Sequence, residues 1–443
     1  MDPATSDTAL RRNAILFVTV SLVSGFGGTA MSLVAGVWVM DLTGSAALAS
    51  LAGFCVFLPT LIGPLLGALV DRLPRRPLLI WTNLLVACSL LLLLAVRSAD
   101  QVWLLYTVML AYGVSYVLLD AGEAALLPAA LPADELGRIN GFRMSAQEGA
   151  KLLAPLVGAA LFTVVGGAAV SALAATMLLV AAVLYRLVRV RYVPPATPPQ
   201  AAAGQGAAPD APGRGWRHLM RDTGEGVRFL RRRVHLLAIV LLGALAMTMS
   251  GLTTAPLFAV VDEGLGLTPA FMGVLSSAQG AGALAGGLVT GRLITRRGEA
   301  AVGACGALLL AVGTAARLLP WTPAVVASSV IIGIGLPWTV VAAMTAVQTR
   351  TPERLLGRVA ASANTLVFGP TAIAIPIGAF LVTVADYRGT LLAAALLTAL
   401  GAWWLGRRGA GPEPDGRPTD PERDGSRVGT RDGAVAVEAD EVA

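Results

Sequence analysis

The residues best able to carry out chemistry are ionisable side chains that interrupt two long apolar segments. The segment 139–165 contains Arg143, Glu148 and Lys151, and Lys151 is the one lysine of the chain. Glu148 and Lys151 are three residues apart, so on a helix they share a face and can form an ion pair. Apolar surroundings raise the proton affinity of a carboxylate and a nearby cation lowers it, a balance that suits proton uptake and release. We therefore predict proton coupling at this pair, and an ion pair that only stabilises the helix is the alternative.

A second set of polar side chains lies in the segment 102–127. Tyr112, Tyr116, Asp120 and Glu123 follow one another at intervals of four, four and three residues. This spacing places them on one face of a helix. Asp120 and Glu123 should lie near one end of that helix, within reach of Arg143. All three are further candidates for proton coupling, although structural ion pairs explain Asp120 and Glu123 equally well.

The composition excludes a soluble enzyme and a nucleic-acid-binding domain. Of the 443 residues, 56% are apolar and only 14% are charged, and the mean hydropathy is +0.72. A soluble domain carries about 25% charged residues, and a run of ~20 apolar residues spans a bilayer. An all-α membrane protein is predicted. Its twelve transmembrane helices are placed at 14–40, 46–70, 78–96, 102–127, 139–165, 168–188, 235–261, 269–291, 300–319, 322–348, 358–384 and 389–406.

The two halves of the chain repeat one another at a fixed offset of 220 residues. Glycine and arginine recur in the same register, as in Gly67 and Gly287 or Arg138 and Arg358. Because six helices is an even number, both copies start on the same side of the membrane and form a parallel repeat. The positions equivalent to Asp120, Glu123, Glu148 and Lys151 are Val340, Ala343, Phe368 and Thr371. We therefore predict that the first half carries the coupling and the second mainly forms cavity wall.

The distribution of arginine predicts the orientation. Most arginines in the short connecting segments fall on one side, and positively charged loops stay in the cytoplasm. Both termini are therefore predicted to be cytoplasmic, in a multi-pass protein of the inner (plasma) membrane of the cell. The predicted units are a cytoplasmic arm at 1–13, a six-helix bundle at 14–188, a linker at 189–233, a second six-helix bundle at 234–406 and a disordered cytoplasmic tail at 407–443.

The linker contains two different stretches. Residues 193–215 are rich in Pro, Ala and Gly and are predicted to be disordered. Residues 216–233 combine apolar side chains near helical spacing with several arginines. An amphipathic helix on the anionic inner leaflet is predicted there, with a merely solvated basic stretch as the alternative.

Cysteine and histidine are too few and too scattered for a metal site or a disulfide framework. The three cysteines stand alone in apolar runs, and neither His218 nor His235 has a ligand at suitable spacing. No set of nucleophile and base is recognisable in the sequence. We expect no cofactor, no metal and no enzymatic activity.

The sequence GALVDRLPRRP at 67–77, after the second predicted span, resembles the loop signature of the major facilitator superfamily. Its matching residues are Gly67, Asp71, Arg72, Arg75 and Arg76. The second copy, GLVTGRLITRR at 287–297, keeps Gly287, Arg292 and Arg296 but has glycine in place of the aspartate. Three further stretches resemble the branch that contains macrolide exporters, the enterobactin exporter and lysophospholipid transporters, namely WVMDLTGSAALAS at 38–50, LLPAALPADELGRING at 126–141 and GEGVRFLRRRVHLL at 224–237. The sequence APLVGA at 154–159 resembles the drug:proton antiporter signature, with alanine in place of two glycines. The resemblance covers residues 11–406.

This resemblance implies two six-helix bundles that alternate in access to the two sides of the membrane. Independently, the Asp71 carboxylate can pair with an arginine or accept hydrogen bonds from a helix N-terminus. The two copies of the motif are therefore predicted to form a cytoplasmic gate between the halves. The alternative is a basic loop that only sets topology.

A substrate cavity is expected at the bilayer midplane between the halves. Its candidate wall residues are polar or aromatic and lie near span centres, namely Tyr112, Tyr116, Gln147, Gln279, Trp338 and Asn364. We predict proton-coupled efflux of an amphipathic small molecule, such as an antibiotic or a siderophore. The alternatives are a lysophospholipid-type flippase and a transport-inactive membrane sensor or scaffold. The expected partners are the substrate, protons and the lipid bilayer, without nucleic acid, and the chain is expected to be a monomer.

Overall fold

The computed structural model describes residues 3–70, 73–188 and 226–409, and the regular elements within these ranges are helical. The helices of the first half are α1 (Pro3–Thr43), α2 (Ala46–Phe57), α3 (Gly63–Val70), α4 (Arg75–Leu92), α5 (Val102–Ala130), α6 (Ala133–Val165) and α7 (Gly167–Leu187). Those of the second half are α8 (226–232), α9 (Val234–Leu252), α10 (Thr254–Ala259), α11 (Met272–Arg297), α12 (Glu299–Ala316), α13 (Thr322–Arg350), α14 (Glu353–Val384) and α15 (Tyr387–Gly409). The Pro-rich linker stretch, residues 216–225 and the tail beyond 409 lie outside the described residues.

Eleven helical segments of the described chain are long and apolar enough to cross a membrane, and a shorter apolar helix covers Ala46–Ile62. The all-helical, many-span architecture predicted from hydropathy is therefore confirmed. The second predicted span, 46–70, is interrupted, because a 3-10 turn at Leu58–Ile62 separates α2 from α3. Pro59 lies in this turn, and proline supplies no backbone donor to an α-helix and displaces the preceding turn.

Two further boundaries differ from the sequence-based expectation. α1 begins at Pro3 rather than at residue 14, so the predicted N-terminal arm is largely helical. The predicted span 235–261 is divided at Thr253, and a π-helical turn at Val260–Gly264 follows α10. The Thr253 hydroxyl donates to the Met249 carbonyl at 3.0 Å, a side-chain bond that competes with regular helical bonding.

The helices run between two ends of the molecule. We call the end that carries segments 73–74, 131–132 and 298 the basic end, and the end that carries 44–45, 166 and 385–386 the opposite end. At the basic end, Arg12 donates to the Leu187 carbonyl at 2.6 Å. Arg76 Nε donates to the Tyr185 carbonyl at 3.1 Å. The last turn of α7 is therefore held by arginines of α1 and α4.

Each half of the chain packs mainly against itself. α1 contacts α2, α5, α6 and α7, and α9 contacts α12, α13, α14 and α15. The principal contacts between the halves are α6 with α11, α2 with α14 and α2 with α10. At the opposite end, one apolar cluster takes residues from both halves, namely Val37, Met40, Ala46, Ala49, Phe258, Ala259, Val260, Val261, Met272, Leu275, Val325, Tyr387 and Leu391.

Candidate functional site

The Glu123 carboxylate is the centre of a buried polar network. Only 8% of Glu123 is exposed, and it forms an ion pair with Arg143 of α6. The hydroxyl of Tyr185 in α7 donates to its other oxygen. Arg143 Nε in turn donates to the Ser21 hydroxyl of α1 at 3.0 Å. One carboxylate thus connects α1, α5, α6 and α7.

The two buried charges of this network have hydrogen-bonding partners in addition to each other. Arg143 also donates from Nη1 to the Asn140 side-chain oxygen at 3.1 Å, so its fork of donors is used by three partners. A buried ion pair is tolerated when further hydrogen bonds satisfy both ions, and removal of one partner leaves a costly unpaired charge. The arrangement therefore fixes the relative positions of four helices.

Tyr185 is the member of this network that sequence reasoning missed. It stands alone in the apolar segment of α7, and 2% of the residue is exposed. Its partner Glu123 is 62 positions earlier in the chain, so no helical spacing relates the two groups. A single tyrosine in an apolar span was the one available signal, and such a residue is as often a packing residue.

The predicted Glu148–Lys151 ion pair is present, and it is more exposed than the Glu123–Arg143 pair. Lys151 Nζ lies 2.7 Å from Glu148 Oε1, as the three-residue spacing predicted. The exposed side-chain fractions are 37% for Glu148 and 55% for Lys151, so both groups are accessible. Asp120 and Tyr116 on α5 are exposed as well, and both carboxylates lie within electrostatic range of the Tyr116 hydroxyl. Neither side chain of the Glu148–Lys151 pair is enclosed in the protein core.

The pair lies beside a contact between the two halves. A methyl group added at Gly280 of α11 would lie 2.9 Å from the backbone oxygen of Lys151. Further along the same seam, a methyl group at Gly273 would lie 2.8 Å from the Pro155 oxygen. α6 and α11 therefore approach backbone to backbone where Lys151 is anchored. Any rearrangement of the Glu148–Lys151 pair would therefore take place beside the surface on which the two halves meet.

The predicted cavity-wall residues fall into three sets. Tyr112 and Gln147 lie against glycines of α1, Gly28 and Gly25 respectively. Gln279 and Trp338 take part in packing between α11 and α13. Gly333 of α13 packs on the Gln279 carbonyl of α11. Trp338 Nε1 of α13 donates to the Gly286 carbonyl of α11 at 2.9 Å. The third set has exposed side chains and comprises Tyr116 and Asn364.

The arginines of the predicted gating motif bind backbone carbonyls within the first half, and Arg76 binds those at the end of α7. Arg75 Nη1 donates to the Ala125 carbonyl of α5 at 2.9 Å, and Arg76 donates to the Tyr185 and Arg186 carbonyls. Cations at helix C-termini satisfy free carbonyls and favour the helix dipole. Asp71 and Arg72 lie outside the described residues. In the second copy, Arg292 and Arg296 are exposed near the end of α11, and a methyl group at Gly67 or Gly287 would have no neighbour within 4 Å.

Within the described ranges, no group of three or more His, Cys, Asp or Glu side chains could hold a metal ion. The polar groups that the structure does bring together are carboxylates paired with an arginine, a lysine and tyrosine hydroxyls. The contacts among these groups are ion pairs and hydrogen bonds.

The sequence profile of the Major Facilitator Superfamily matches residues 16–366 and 240–432. Macrolide efflux protein A of Streptococcus pyogenes is 26% identical over 257 residues, which are 57% of this chain and 60% of that protein. The protein of the same name in Enterococcus faecalis is 25% identical over 244 residues, 55% of this chain and 70% of that protein. The chain thus spans about 60% of the length of the first of these relatives.

Several solved structures share the fold. The nucleoside transporter NupG has a TM-score of 0.67 at 14% identity, over 90% of this chain and 100% of that one. A D-xylose-proton symporter has a TM-score of 0.64 at 15% identity, over 92% and 99% of the two chains. A bacterial homologue of the iron transporter ferroportin in an inward-facing state has a TM-score of 0.62 at 17% identity, over 90% and 99%. At such identities these structures show the fold alone.

The predicted resemblance to the superfamily and to macrolide exporters is confirmed by these similarities. The many apolar helices, the fold shared with solved transporters and the profile match over most of the sequence agree with one another. This multi-pass membrane protein belongs to the Major Facilitator Superfamily of transporters.

Proposed function

We propose that the protein is a proton-coupled exporter of an amphipathic small molecule. In this proposal twelve spans form two six-helix bundles, and the interrupted helix pair α2–α3 supplies the span beyond the eleven long ones. The basic end faces the cytoplasm together with both termini, in the plasma membrane. The observation that carries the proposal is the accessible Glu148–Lys151 pair, at 2.7 Å, beside the α6–α11 seam.

The proposed coupling uses the charge of Glu148. When the cavity faces outwards, the carboxylate takes up a proton and its attraction to Lys151 weakens. When the cavity faces the cytoplasm, the proton leaves and the pair forms again. Because Lys151 belongs to the segment that packs on Gly280 of α11, this change in pairing biases the two access states of the halves.

The closed opposite end supports an alternating-access cycle. There, α1 and α2 of the first half pack against α11 and α10 of the second through apolar side chains. Such a contact has no hydrogen bonds to break and can separate as one half rotates against the other. In the proposed orientation this state is closed to the outside.

The substrate class rests on the relatives and on the polar character of the site. Curated proteins at 25–26% identity are named for macrolide efflux. The exposed polar groups near the seam are one ion pair, one further carboxylate and tyrosine and amide side chains, a set that suits a large, weakly charged molecule with several hydrogen-bonding groups. We therefore propose antibiotics, siderophores or similar metabolites as substrates.

The test is transport into inverted membrane vesicles with and without an imposed proton gradient. The parent protein should accumulate its substrate only with the gradient, whereas Glu148→Gln should exchange substrate but lose accumulation. Glu135→Gln is a matched control, because Glu135 pairs with Arg138 at the same three-residue spacing on the same helix. Accumulation should be unchanged in this control.

Three outcomes would contradict the proposal. Glu148→Gln protein that still accumulates substrate, with an unchanged response to pH, would remove Glu148 as the coupling site. Gradient-independent equilibration by the parent protein, with a preference for lysophospholipid, would indicate a flippase. The absence of any movement across a broad substrate panel would indicate a sensor or scaffold.

A further inference from the structure

The short helix α8 is docked on the second half of the protein. A methyl group added at Gly226 would lie 2.5 Å from the Arg358 backbone oxygen of α14. Leu230, four residues later, is fully buried in a cluster with residues of α9, α13 and α14. Gly226 and Leu230 therefore form one face that fixes α8 against the basic end.

The other face of α8 carries three exposed arginines. Arg228, Arg231 and Arg232 are spaced three and four residues apart, so they project on one side of the helix. We call these three side chains the arginine platform. Within the described part of the chain, no carboxylate lies within ion-pair distance of the platform. Since the opposite face of α8 is anchored, the three guanidinium groups are held together, and none of the described carboxylates serves as their counter-ion.

A cleft of about 450 Å³ opens at the platform. Among the described residues it is lined by Val227, Arg228, Arg231 and Arg232. Guanidinium groups bind phosphate oxygens through paired, charge-assisted hydrogen bonds. Val227 adds an apolar wall beside these donors. The lining therefore suits a ligand with a phosphate group next to a hydrocarbon portion.

Neighbouring residues place the platform at the depth of the membrane interface. His235, three positions beyond Arg232, contacts the Arg408 carbonyl at the end of α15. Arg407 and Arg408 stack on the exposed rings of Trp403 and Trp404, at 4.5 and 3.9 Å from the ring centres. Tryptophan is enriched where membrane proteins cross the headgroup region, and arginine reaches from there towards the phosphates.

We propose that the arginine platform binds the headgroup of an anionic phospholipid. The phosphate lies in the cleft among the three guanidinium groups, and the acyl chains extend along the apolar sides of the adjacent spans. Because α8 is docked on α14, the bound lipid is attached to the second half and not to a free linker. This binding site is independent of the proposed direction of transport and of proton coupling.

The test compares lipid binding by variants of the complete chain. Purified protein in detergent micelles is titrated with headgroup-labelled phosphatidylglycerol, and phosphatidylcholine serves as the zwitterionic comparison. The variant Arg228→Gln/Arg231→Gln/Arg232→Gln should bind phosphatidylglycerol about 100-fold more weakly, the equivalent of three interfacial arginines at about 1 kcal/mol each. The corresponding triple substitution to lysine keeps the charge and should lose less than tenfold.

Arg97→Gln/Arg186→Gln/Arg297→Gln is the matched control, because it removes three exposed arginines outside the platform. Its phosphatidylglycerol affinity should stay within twofold of the parent value, and phosphatidylcholine should not distinguish any of the proteins. Equal losses in the control and platform variants would overturn the site, as would parent-like binding by the platform glutamine variant. Displacement of the lipid by an equal concentration of inorganic phosphate would show a site for free phosphate and overturn the lipid assignment.

Discussion

At the scale of residues, two carboxylates that were both predicted as candidates for proton coupling have different surroundings. Glu123 is buried and bonded to both Arg143 and Tyr185, whereas Glu148 is accessible and paired with Lys151 alone. Loss of charge on Glu123 would disturb four helices at once. Loss of charge on Glu148 would alter one ion pair within a single helix. The structure therefore favours a structural role for Glu123 and leaves the Glu148–Lys151 pair outside this buried network.

Replacement of Tyr185 by Phe should lower the free energy of unfolding by about 1.5–3 kcal/mol, because it removes a donor from a buried ionised carboxylate. Thermal unfolding of the purified protein in detergent measures the change. Tyr106→Phe is the control, since the Tyr106 hydroxyl donates only to the neutral Leu48 carbonyl, at 2.9 Å. Its cost should be about 0.5–1.5 kcal/mol. Equal stability of the two variants would show that Glu123 does not depend on the hydroxyl.

Removal of one ion from the buried pair should cost more than removal of both. Arg143→Gln leaves the Glu123 carboxylate without its cation and should destabilise the protein by about 3–5 kcal/mol. Glu123→Gln/Arg143→Gln should recover part of this loss, because no unpaired charge remains. The same unfolding assay applies. A double variant no more stable than Arg143→Gln would contradict this prediction, because the Glu123 carboxylate would then carry no cost when its cation is absent.

At the scale of elements, α6 carries the Glu148–Lys151 pair and also packs closely on α11 of the other half. The contact of α6 with α11 depends on glycine at 280, where the Lys151 backbone occupies the space of a side chain. Elsewhere, Arg75 binds the Ala125 carbonyl within α5 and Arg76 binds the last turn of α7, so part of the predicted gating motif stabilises the first half. The same short loop therefore supports the first half internally, whatever it contributes to gating.

Gly280→Ala should force α6 and α11 apart by a few tenths of an ångström or more, and we expect slower transport and a lower apparent Tm. Gly291→Ala lies on the same helix, where a methyl group would have no neighbour within 4 Å, and is expected to be tolerated. Initial rates in inverted vesicles and thermal unfolding measure the two effects. Normal transport by Gly280→Ala protein would show that the backbone contact at Lys151 is not needed for the cycle.

At the scale of the whole molecule, the apolar cluster at the opposite end is the main joint between the halves there. Gly36 of α1 lies directly between the Phe258 ring and the Ala49 carbonyl, so the two halves approach closely at this point. The cluster contains large side chains such as Met40, Met272 and Leu391. The proposed alternating access requires this joint to separate.

A short reversible cross-link across this joint should stop transport. Ala49→Cys and Phe258→Cys, in a protein whose three natural cysteines are replaced, would be joined by a bifunctional thiol reagent. Transport should fall to background and return on reduction. Met40→Cys with Ala46→Cys is the control, because a link between α1 and α2 stays within one half. Unchanged transport in the cross-linked first pair would contradict separation of the halves at this end.

The sequence by itself determined the features that depend on local composition. The spans, the repeat and the Glu148–Lys151 pair follow from hydropathy, register and a three-residue spacing, and bilayer thickness fixes the length of each apolar run. The tertiary structure decided which charges are buried, as when Tyr185 and Arg143 meet Glu123. It also placed α8 on α14 through Gly226 and Leu230. The physical reason is that burial and pairing depend on contacts between residues far apart in the chain. The sequence pattern of a single segment does not show which distant segment it will contact.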